Sequence, residues 1–407
     1  MPEEGTTIVR RLRQVLGLEH NIVTMLVITV FLGIGEELWT RFIPKYLELL
    51  GAGTWVIASY GTLRDFLDAN YQYPGGWITD RLGRRKALIF FSLLTIIGYL
   101  FFIFGTNWFW LLAGTIFVMA WSSLTSPAIF AIIGDSLPSS KRSIGFGVQS
   151  IIKRLPTVIA PALGGIMIGL WGFRNGLRAG LVVSIILAVT AIIIVRKYFR
   201  ESAPRGKDVT TAKTLWRGMN NNLKRLLFAD CLARWAEGIA EVFIVLYAID
   251  YLHITPAQFG FLISIQMLTS IVVYLPVARI SDRMNRKPFV MLTFFFFALY
   301  PLSIALAGSW WLILLAFIVG GLREIGEPAR KALIVDLSDE SARGRAVGIY
   351  YNIRGLIVFP ASLIGGLCWT INPRLPFLLA FGAGIAGCII YGLLGTDTTD
   401  RTPFGAG

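Results

Sequence analysis

Apolar residues in this chain gather into runs of roughly 20 or more, about the length of helix that crosses the ~30 Å hydrocarbon core of a bilayer. The runs predict spans near 22–48, 54–79, 87–105, 108–134, 143–171, 177–198, 223–251, 256–279, 289–307, 310–336, 344–371 and 375–395. One long polar stretch interrupts them, "RESAPRGKDVTTAKTLWRGMNNN" at 200–222, with Pro204 and Gly206 inside it. The chain therefore divides into an N-terminal six-helix bundle (1–199), a cytoplasmic linker (200–222) and a C-terminal six-helix bundle (223–407). The fold class this predicts is an all-α polytopic membrane protein of twelve transmembrane helices.

Composition agrees: 55% of the 407 residues are hydrophobic and 15% charged, too little polar surface for a soluble protein of this length. The net charge of +14 invites a nucleic-acid reading, which its distribution excludes. Basic residues fall in alternate loops: the N-terminus, Arg81 to Lys86, Lys141 to Arg142, Arg196 to Arg225, Arg279 to Lys287 and Arg343 to Arg345. The intervening loops "ELLGAGT", "FGTNW" and "ALAGSW" carry none, with Arg174, Arg178 and Arg374 the exceptions on that side. This positive-inside pattern predicts both termini in the cytoplasm of an inner or plasma membrane protein. Arg10, Arg11 and Arg13 precede no short apolar stretch with a cleavage site, so the first span is expected to direct insertion.

The chemistry of catalysis is sparse. Cys231, Cys368 and Cys388 lie in apolar runs without metal-like spacing, and His20 and His253 are the only histidines, so neither disulfide nor metal is expected. No phosphate-binding Gly-x-x-x-x-Gly-Lys-Ser/Thr loop is present, which argues against an ATP-driven pump. A non-enzyme without a cofactor, acting as a monomer, is the expectation.

The halves repeat at an offset of about 201 residues, the kind of periodicity that marks duplicated architecture. Pro127 and Asp135 match Pro328 and Asp336; Arg142, Gly147 and Lys153 match Arg343, Gly348 and Arg354; Gly164-Gly165 matches Gly365-Gly366. Glu36, Phe42 and Tyr46 fall on Glu237, Phe243 and Tyr247. One residue further on, Pro74, Asp80, Arg81 and Arg84 meet Pro276, Asp282, Arg283 and Arg286. Two six-helix halves in one orientation form the parallel-repeat arrangement of many secondary transporters.

The loop "GGWITDRLGRRK" (75–86) carries, from Gly76, the Gly-x-x-x-Asp-Arg-x-Gly-Arg-Arg signature, and "ARISDRMNRK" (278–287) is a degenerate copy with Ala278 and Asn285 in place of the glycines. With six plus six spans and a long central loop, the chain resembles the major facilitator superfamily over nearly its whole length. The resemblance implies two bundles around a central cavity, alternating access, and a conformational latch at Gly76, Asp80, Arg81, Gly83, Arg84, Arg85, Asp282 and Arg283. Gly83 permits the tight turn, and Asp80 is expected to cap a helix N-terminus, by analogy the span beginning near Ser341. "APALGGIMIG" (160–169) is similar to a signature of proton-driven drug exporters, with Ala160 in place of the first glycine; small residues there equally serve close helix packing. Between Leu111 and Asp135 the chain has no arginine, a departure from that exporter branch.

Charges inside spans are costly, ~2.5–3.5 kcal/mol each at the helix centre, so they face a cavity or a partner. The third, sixth, ninth and twelfth spans have uncharged centres, and those are the lipid-facing helices of the resembled fold. Charges concentrate elsewhere: Glu36, Glu37 and Arg41 in the first span, Arg64, Asp65 and Asp68 in the second, Lys153 and Arg154 in the fifth. Arg234 and Glu237 lie in the seventh span, Arg323, Glu324 and Glu327 in the tenth, and Arg354 in the eleventh. The stretch "GGLREIGEPARKALIVD" (320–336) follows an uncharged run from Phe289 to Gly321 and reads as one helix bordering a water-filled path, bent at Pro328. Arg323–Glu327 and Glu327–Lys331 are spaced to pair along it. Snorkelling suits Arg330 and Lys331; caps or loop pairing suit Asp135 and Asp336.

Two functions for the mid-depth charges stay open, mutual neutralisation that holds helices together and a transport site. As a transport site, Arg41, Arg64, Lys153, Arg154, Arg234, Arg323 and Arg354 are candidates to bind a small anionic or zwitterionic substrate, with Trp39 and Tyr350 as aromatic contacts. A carboxylate held out of water takes up a proton more readily. Protons are therefore the expected coupling ion, with Glu36, Glu37, Asp65, Asp68, Glu237, Glu324 and Glu327 as candidate carriers. The predicted function is proton-coupled export of a small organic solute, with proton-coupled uptake of an organic anion or nutrient as the alternative. A receptor on the same fold ranks last.

Overall fold

The computed structural model describes residues 20–125, 128, 129, 132, 139–201, 219–281, 284–338 and 343–395, and every regular element among them is a helix. In chain order these are α1 His20–Glu37, α2 Ile43–Leu49, α3 Thr54–Leu82, α4 Arg84–Phe104 and α5 Trp108–Met119. Then come α6 Ser139–Tyr198, α7 Asn221–Leu246, α8 Pro256–Ser281, α9 Lys287–Leu306 and α10 Trp310–Leu322. Last are α11 Glu327–Asp336, α12 Arg343–Val358, α13 Ala361–Ile371 and α14 Leu375–Leu394. Among the described residues seven helical segments are long and apolar enough to cross a bilayer, and Trp108–Leu124 is a shorter apolar helix.

The surface identifies the solvent. Phe90, Leu93, Ile97 and Leu100 on α4 are exposed, as are Val182, Ile186, Val189 and Ile193 on α6. Residues three and four apart share a helix face, so these are continuous apolar stripes. In water such stripes would drive association; in hydrocarbon they are solvated. The chain is an integral membrane protein.

Contacts resolve two compact units. The first comprises the described residues within Met1–Ala52, Asn70–Lys207 and Thr255–Ser264. Its core joins Ile22, Met25, Ile28 and Leu32 of α1 to Leu88 of α4 and to Ala188, Ala191 and Val195 of α6. The second comprises the described residues within Gly53–Ala69, Asp208–Ile254 and Ile265–Gly407. Its core joins Leu223, Leu226 and Leu227 of α7 to Val290, Phe294 and Phe297 of α9, Leu333 of α11 and Tyr391 of α14.

The repeated double glycine has the same cause in both units. A Cβ on Gly164 would strike the Leu38 carbonyl, and one on Gly365 would strike the Ile239 carbonyl; Leu38 and Ile239 are themselves related by the repeat. Gly165 likewise lies on the backbone of Pro256 and Ala257, while Gly366 lies against Ala58. Only a residue without a side chain lets the backbones approach so closely. Close packing explains these glycines.

Breaks in the helices differ from the expected runs. Gly172, at φ 75°, bends α6 between its two arms, in agreement with spans ending at 171 and resuming at 177. The run 344–371 is instead two helices, α12 and α13, parted at Phe359 and Pro360; proline lacks the N–H a continuing helix needs. The run 310–336 is not one bent helix either. It stops at Leu322 and restarts at Glu327. In the gap, Arg323 Nε donates to the Gly320 carbonyl (2.9 Å), Gly326 N donates to Thr293 Oγ1 (2.6 Å), and Gly326 sits where any Cβ would meet the Phe289 carbonyl. Pro328 occupies the first turn of α11, where its missing N–H costs nothing.

Candidate functional site

The interruption between α10 and α11 delivers its charges to one network in the second unit. Arg330 is at the centre and 1% exposed. Its Nε donates to Glu327 Oε2 (2.9 Å) and its Nη2 to Glu327 Oε1 (2.7 Å), while Nη1 donates to Asp230 Oδ2. The two-pronged contact with Glu327 is the geometry a guanidinium fork makes with a carboxylate. Asp230 Oδ2 also accepts from Tyr350 Oη (2.9 Å) and from Arg354 Nη1 (3.2 Å). Arg234 extends the network, with Nη1 donating to Glu237 Oε2 (2.8 Å) and Nη2 3.5 Å from Glu327 Oε2. Glu237 Oε1 accepts in turn from Arg323 Nη1 (3.2 Å).

Aromatic faces hold the outer guanidiniums. Arg234 lies over Phe297 (4.6 Å), Arg323 over Tyr300 (4.7 Å) and Arg354 over Tyr351 (4.7 Å), each a favourable cation–π arrangement. Beside this network, Arg64 of α3 donates to Asp65 Oδ1 (3.1 Å) and to Glu241 Oε2 (2.6 Å).

Several expectations need correcting here. Arg330 does not snorkel; it is fully buried and doubly paired. Lys331, with a side chain 46% exposed and 3.5 Å from Glu327 Oε1, does reach outward and makes the expected pair. Arg323 pairs with Glu237 rather than with Glu327, because the break at 323–326 removes the helical spacing that would join them. Tyr350 is buried in this structure as a donor to Asp230. Trp39 is buried too, with its ring edge-on to Tyr99 (5.6 Å) and Phe102 (5.3 Å), and serves as core of the first unit.

The repeat-related acid of the first unit has a different setting. Glu36 forms no ion pair among the described residues; the Ser122 hydroxyl lies beside it, and Glu37, Lys153 and Arg41 are the charges in its surroundings. Ser122 stands at the repeat position of Arg323, and Gly33 at that of Arg234. Where Glu237 has two arginines, Glu36 has a hydroxyl and a glycine. Glu37 lies 3.5 Å from Arg41 Nε and accepts from Thr157 Oγ1 (3.4 Å). Lys153 is exposed and Arg154 half-buried. Asp68 is exposed and Glu324 half-buried, and both have interactions of their own.

The signature loop is built around Gly83, whose φ of 80° favours glycine. Arg84 N, at the start of α4, donates to Glu201 Oε1 (2.7 Å), and Arg85 Nη2 donates to the Arg196 carbonyl. Arg81 lies over Trp77 (4.1 Å). Gly76 is half-buried and Asp80 exposed. Asp282, Arg283, Asp135 and the expected partner near Ser341 lie outside the described residues. Arg286 pairs with Asp336.

Reading the sequence missed Asp230 and Glu241. Asp230 interrupts the apolar run "LLFADCLARW" four residues before Arg234, a signal that was available; its decisive partners, Arg330 and Arg354, lie 100 and 124 residues away.

Comparisons with known proteins place this geometry. The model of the Major Facilitator Superfamily matches residues 25–227 and again 226–406. An uncharacterised MFS-type transporter of Methanocaldococcus jannaschii is 24% identical over 385 residues, 91% of this chain and 93% of its own. The class H tetracycline resistance protein of Pasteurella multocida is 23% identical, covering 84% of this chain and 87% of its own. Among solved structures, a POT family transporter in complex with a thioalcohol-conjugated peptide superposes with a TM-score of 0.77 at 14% identity, over 91% of this chain and 95% of that one.

Proposed function

The chain belongs to the Major Facilitator Superfamily and is a transporter, and from that premise we propose a twelve-span, proton-coupled exporter of a small organic solute, working by alternating access with both termini in the cytoplasm. The observation that carries proton coupling is the contrast between the two repeat-related acids. Glu237 is held by Arg234 and Arg323, so protonating it would strand two guanidiniums, a costly loss for a buried pair. Glu36, which forms no ion pair among the described residues and has Ser122 where Glu237 has Arg323, loses no such pair when it takes up a proton. Glu36 carries the coupling proton, with Glu37 beside it. Glu327, locked by Arg330, is structural.

Export is favoured by the tetracycline resistance relative. Uptake of an organic anion is the second reading, favoured by the cations Lys153 and Arg354 at equivalent repeat positions and by the lack of an arginine between Leu111 and Asp135. Proteoliposomes with an imposed pH gradient test the proposal. Solute flux should follow the gradient, be abolished by a protonophore and run against the proton movement. Flux indifferent to the protonophore would end the proton-coupled reading; flux in the same direction as the protons would replace export with uptake.

A further inference from the structure

Arg354 has more donors than the protein uses. Its Nη1 reaches Asp230 Oδ2 at 3.2 Å, but that oxygen already accepts from Arg330 Nη1 and from the Tyr350 hydroxyl. Arg330, inside hydrogen-bond range and 1% exposed, supplies the neutralising charge that buried Asp230 requires. Arg354 is the longest of the three contacts, and its side chain is 21% exposed. Its Nε and Nη2 make no hydrogen bond to any described residue, and neither is sealed from solvent. These two nitrogens form one edge of the planar guanidinium, the edge whose parallel N–H groups match the two oxygens of a carboxylate or the oxygens of a phosphate.

The plane of that edge is fixed. The guanidinium rests on the Tyr351 ring at 4.7 Å, and Nη1 is tied to Asp230. A long side chain held at two points loses little further freedom on binding. The other arginines of the network each commit two or more nitrogens to protein: Arg330 to Glu327 and Asp230, Arg234 to Glu237 and, at 3.5 Å, Glu327, Arg323 to Glu237 and the Gly320 carbonyl; Arg234 Nε has no hydrogen-bond partner but is buried.

We infer that the Nε–Nη2 edge of Arg354 is an anion-recognition site, and that the transported solute carries a carboxylate or another planar or phosphate-like anionic group that docks there. This deepens the transport reading above and rests on it. Asp230 sets the orientation of Arg354 without consuming its free edge, so Asp230 is a positioning residue and Arg354 the one that touches the anion. Neutral and cationic compounds of equal size and hydrophobicity are selected against, because they leave the edge unpaired.

The test needs no gradient. Thermal stabilisation of the purified full-length protein is measured with matched triplets on aliphatic and aromatic frames, such as phenylbutyrate, phenylbutyramide and phenylbutylamine. At least one carboxylate should stabilise wild type while its amide and amine do not. Arg354→Gln should remove that preference, weakening carboxylate binding at least about tenfold, since a charged, two-pronged contact is lost. Arg354→Lys keeps the charge without the paired edge; it should fold as wild type by size exclusion yet bind the carboxylate more weakly. A purely structural role for Arg354 would lower the melting temperature of the ligand-free protein but leave the carboxylate-to-amide ratio unchanged. That result, stabilisation by amide or amine equal to the acid's, or no stabilising carboxylate in the panel, would overturn the inference. Because binding is read without a proton gradient, an intact Arg354 site together with uncoupled flux would remove the proton coupling alone.

Discussion

Asp230 takes three donors on one oxygen and sits 1% exposed among helices that contribute Arg330, Tyr350 and Arg354. Removing one partner from such a buried cluster strands the others, with a cost of about 3–5 kcal/mol. Asp230→Asn should therefore lower the melting temperature markedly in detergent. The double variant Asp230→Asn, Arg330→Met should recover part of the loss, because it removes the stranded guanidinium as well. Equal or greater destabilisation in the double variant would show that the two residues are not coupled. Individual residues were only partly legible in the sequence. An acid four residues before an arginine looks like any helical pair, and nothing local distinguishes Arg330, buried and forked, from Lys331, which does reach outward. Depth along a helix follows from counting, but which face a residue occupies and what meets it depend on partners a hundred residues away.

At the scale of elements, glycine marks the close approaches and the turns. Gly365→Leu should abolish correctly folded protein, since any Cβ there meets the Ile239 carbonyl, and Gly164→Leu should do the same through Leu38. Gly83→Ala is milder: its backbone sits at φ 80°, ψ 157°, a conformation close to glycine's own, and alanine there costs about 1–3 kcal/mol, with the Glu201 side chain having to give way to its Cβ. Expression and monodispersity by size exclusion separate the two outcomes; a well-folded Gly365→Leu protein would refute the packing role. Gly164 and Gly365 were legible because the repeat displayed them twice and because glycine has few other uses inside an apolar run, and Gly83 because it belongs to the signature loop. The interruption between α10 and α11 was not. Pro328 pointed towards a bend, but the break is made by Arg323 turning back on Gly320 and by Gly326 fitting beneath Phe289, contacts that hydropathy does not encode.

For the whole molecule, the internal repeat was the most legible feature, and the proposed function rests on where its two copies differ. Glu36 and Glu237 stand at the same repeat position. In the second unit Glu237 is paired with Arg234 and Arg323; in the first, Ser122 and Gly33 occupy the corresponding positions, and Glu36 forms no ion pair among the described residues. Family membership makes the chain a transporter; in the function proposed above, this asymmetry gives the proton to one half and the arginine-rich network to the other. The most direct measurement is solute transport in proteoliposomes by Glu36→Gln and Glu237→Gln side by side, each assayed for gradient-driven flux and for gradient-free exchange, with melting temperatures alongside. Glu36→Gln should keep its stability and its exchange but lose the response to pH, whereas Glu237→Gln should lose stability, with whatever protein remains folded still responding to the gradient. Coupled transport at the wild-type rate in Glu36→Gln, or loss of coupling in a Glu237→Gln protein as stable as wild type, would contradict the division of roles.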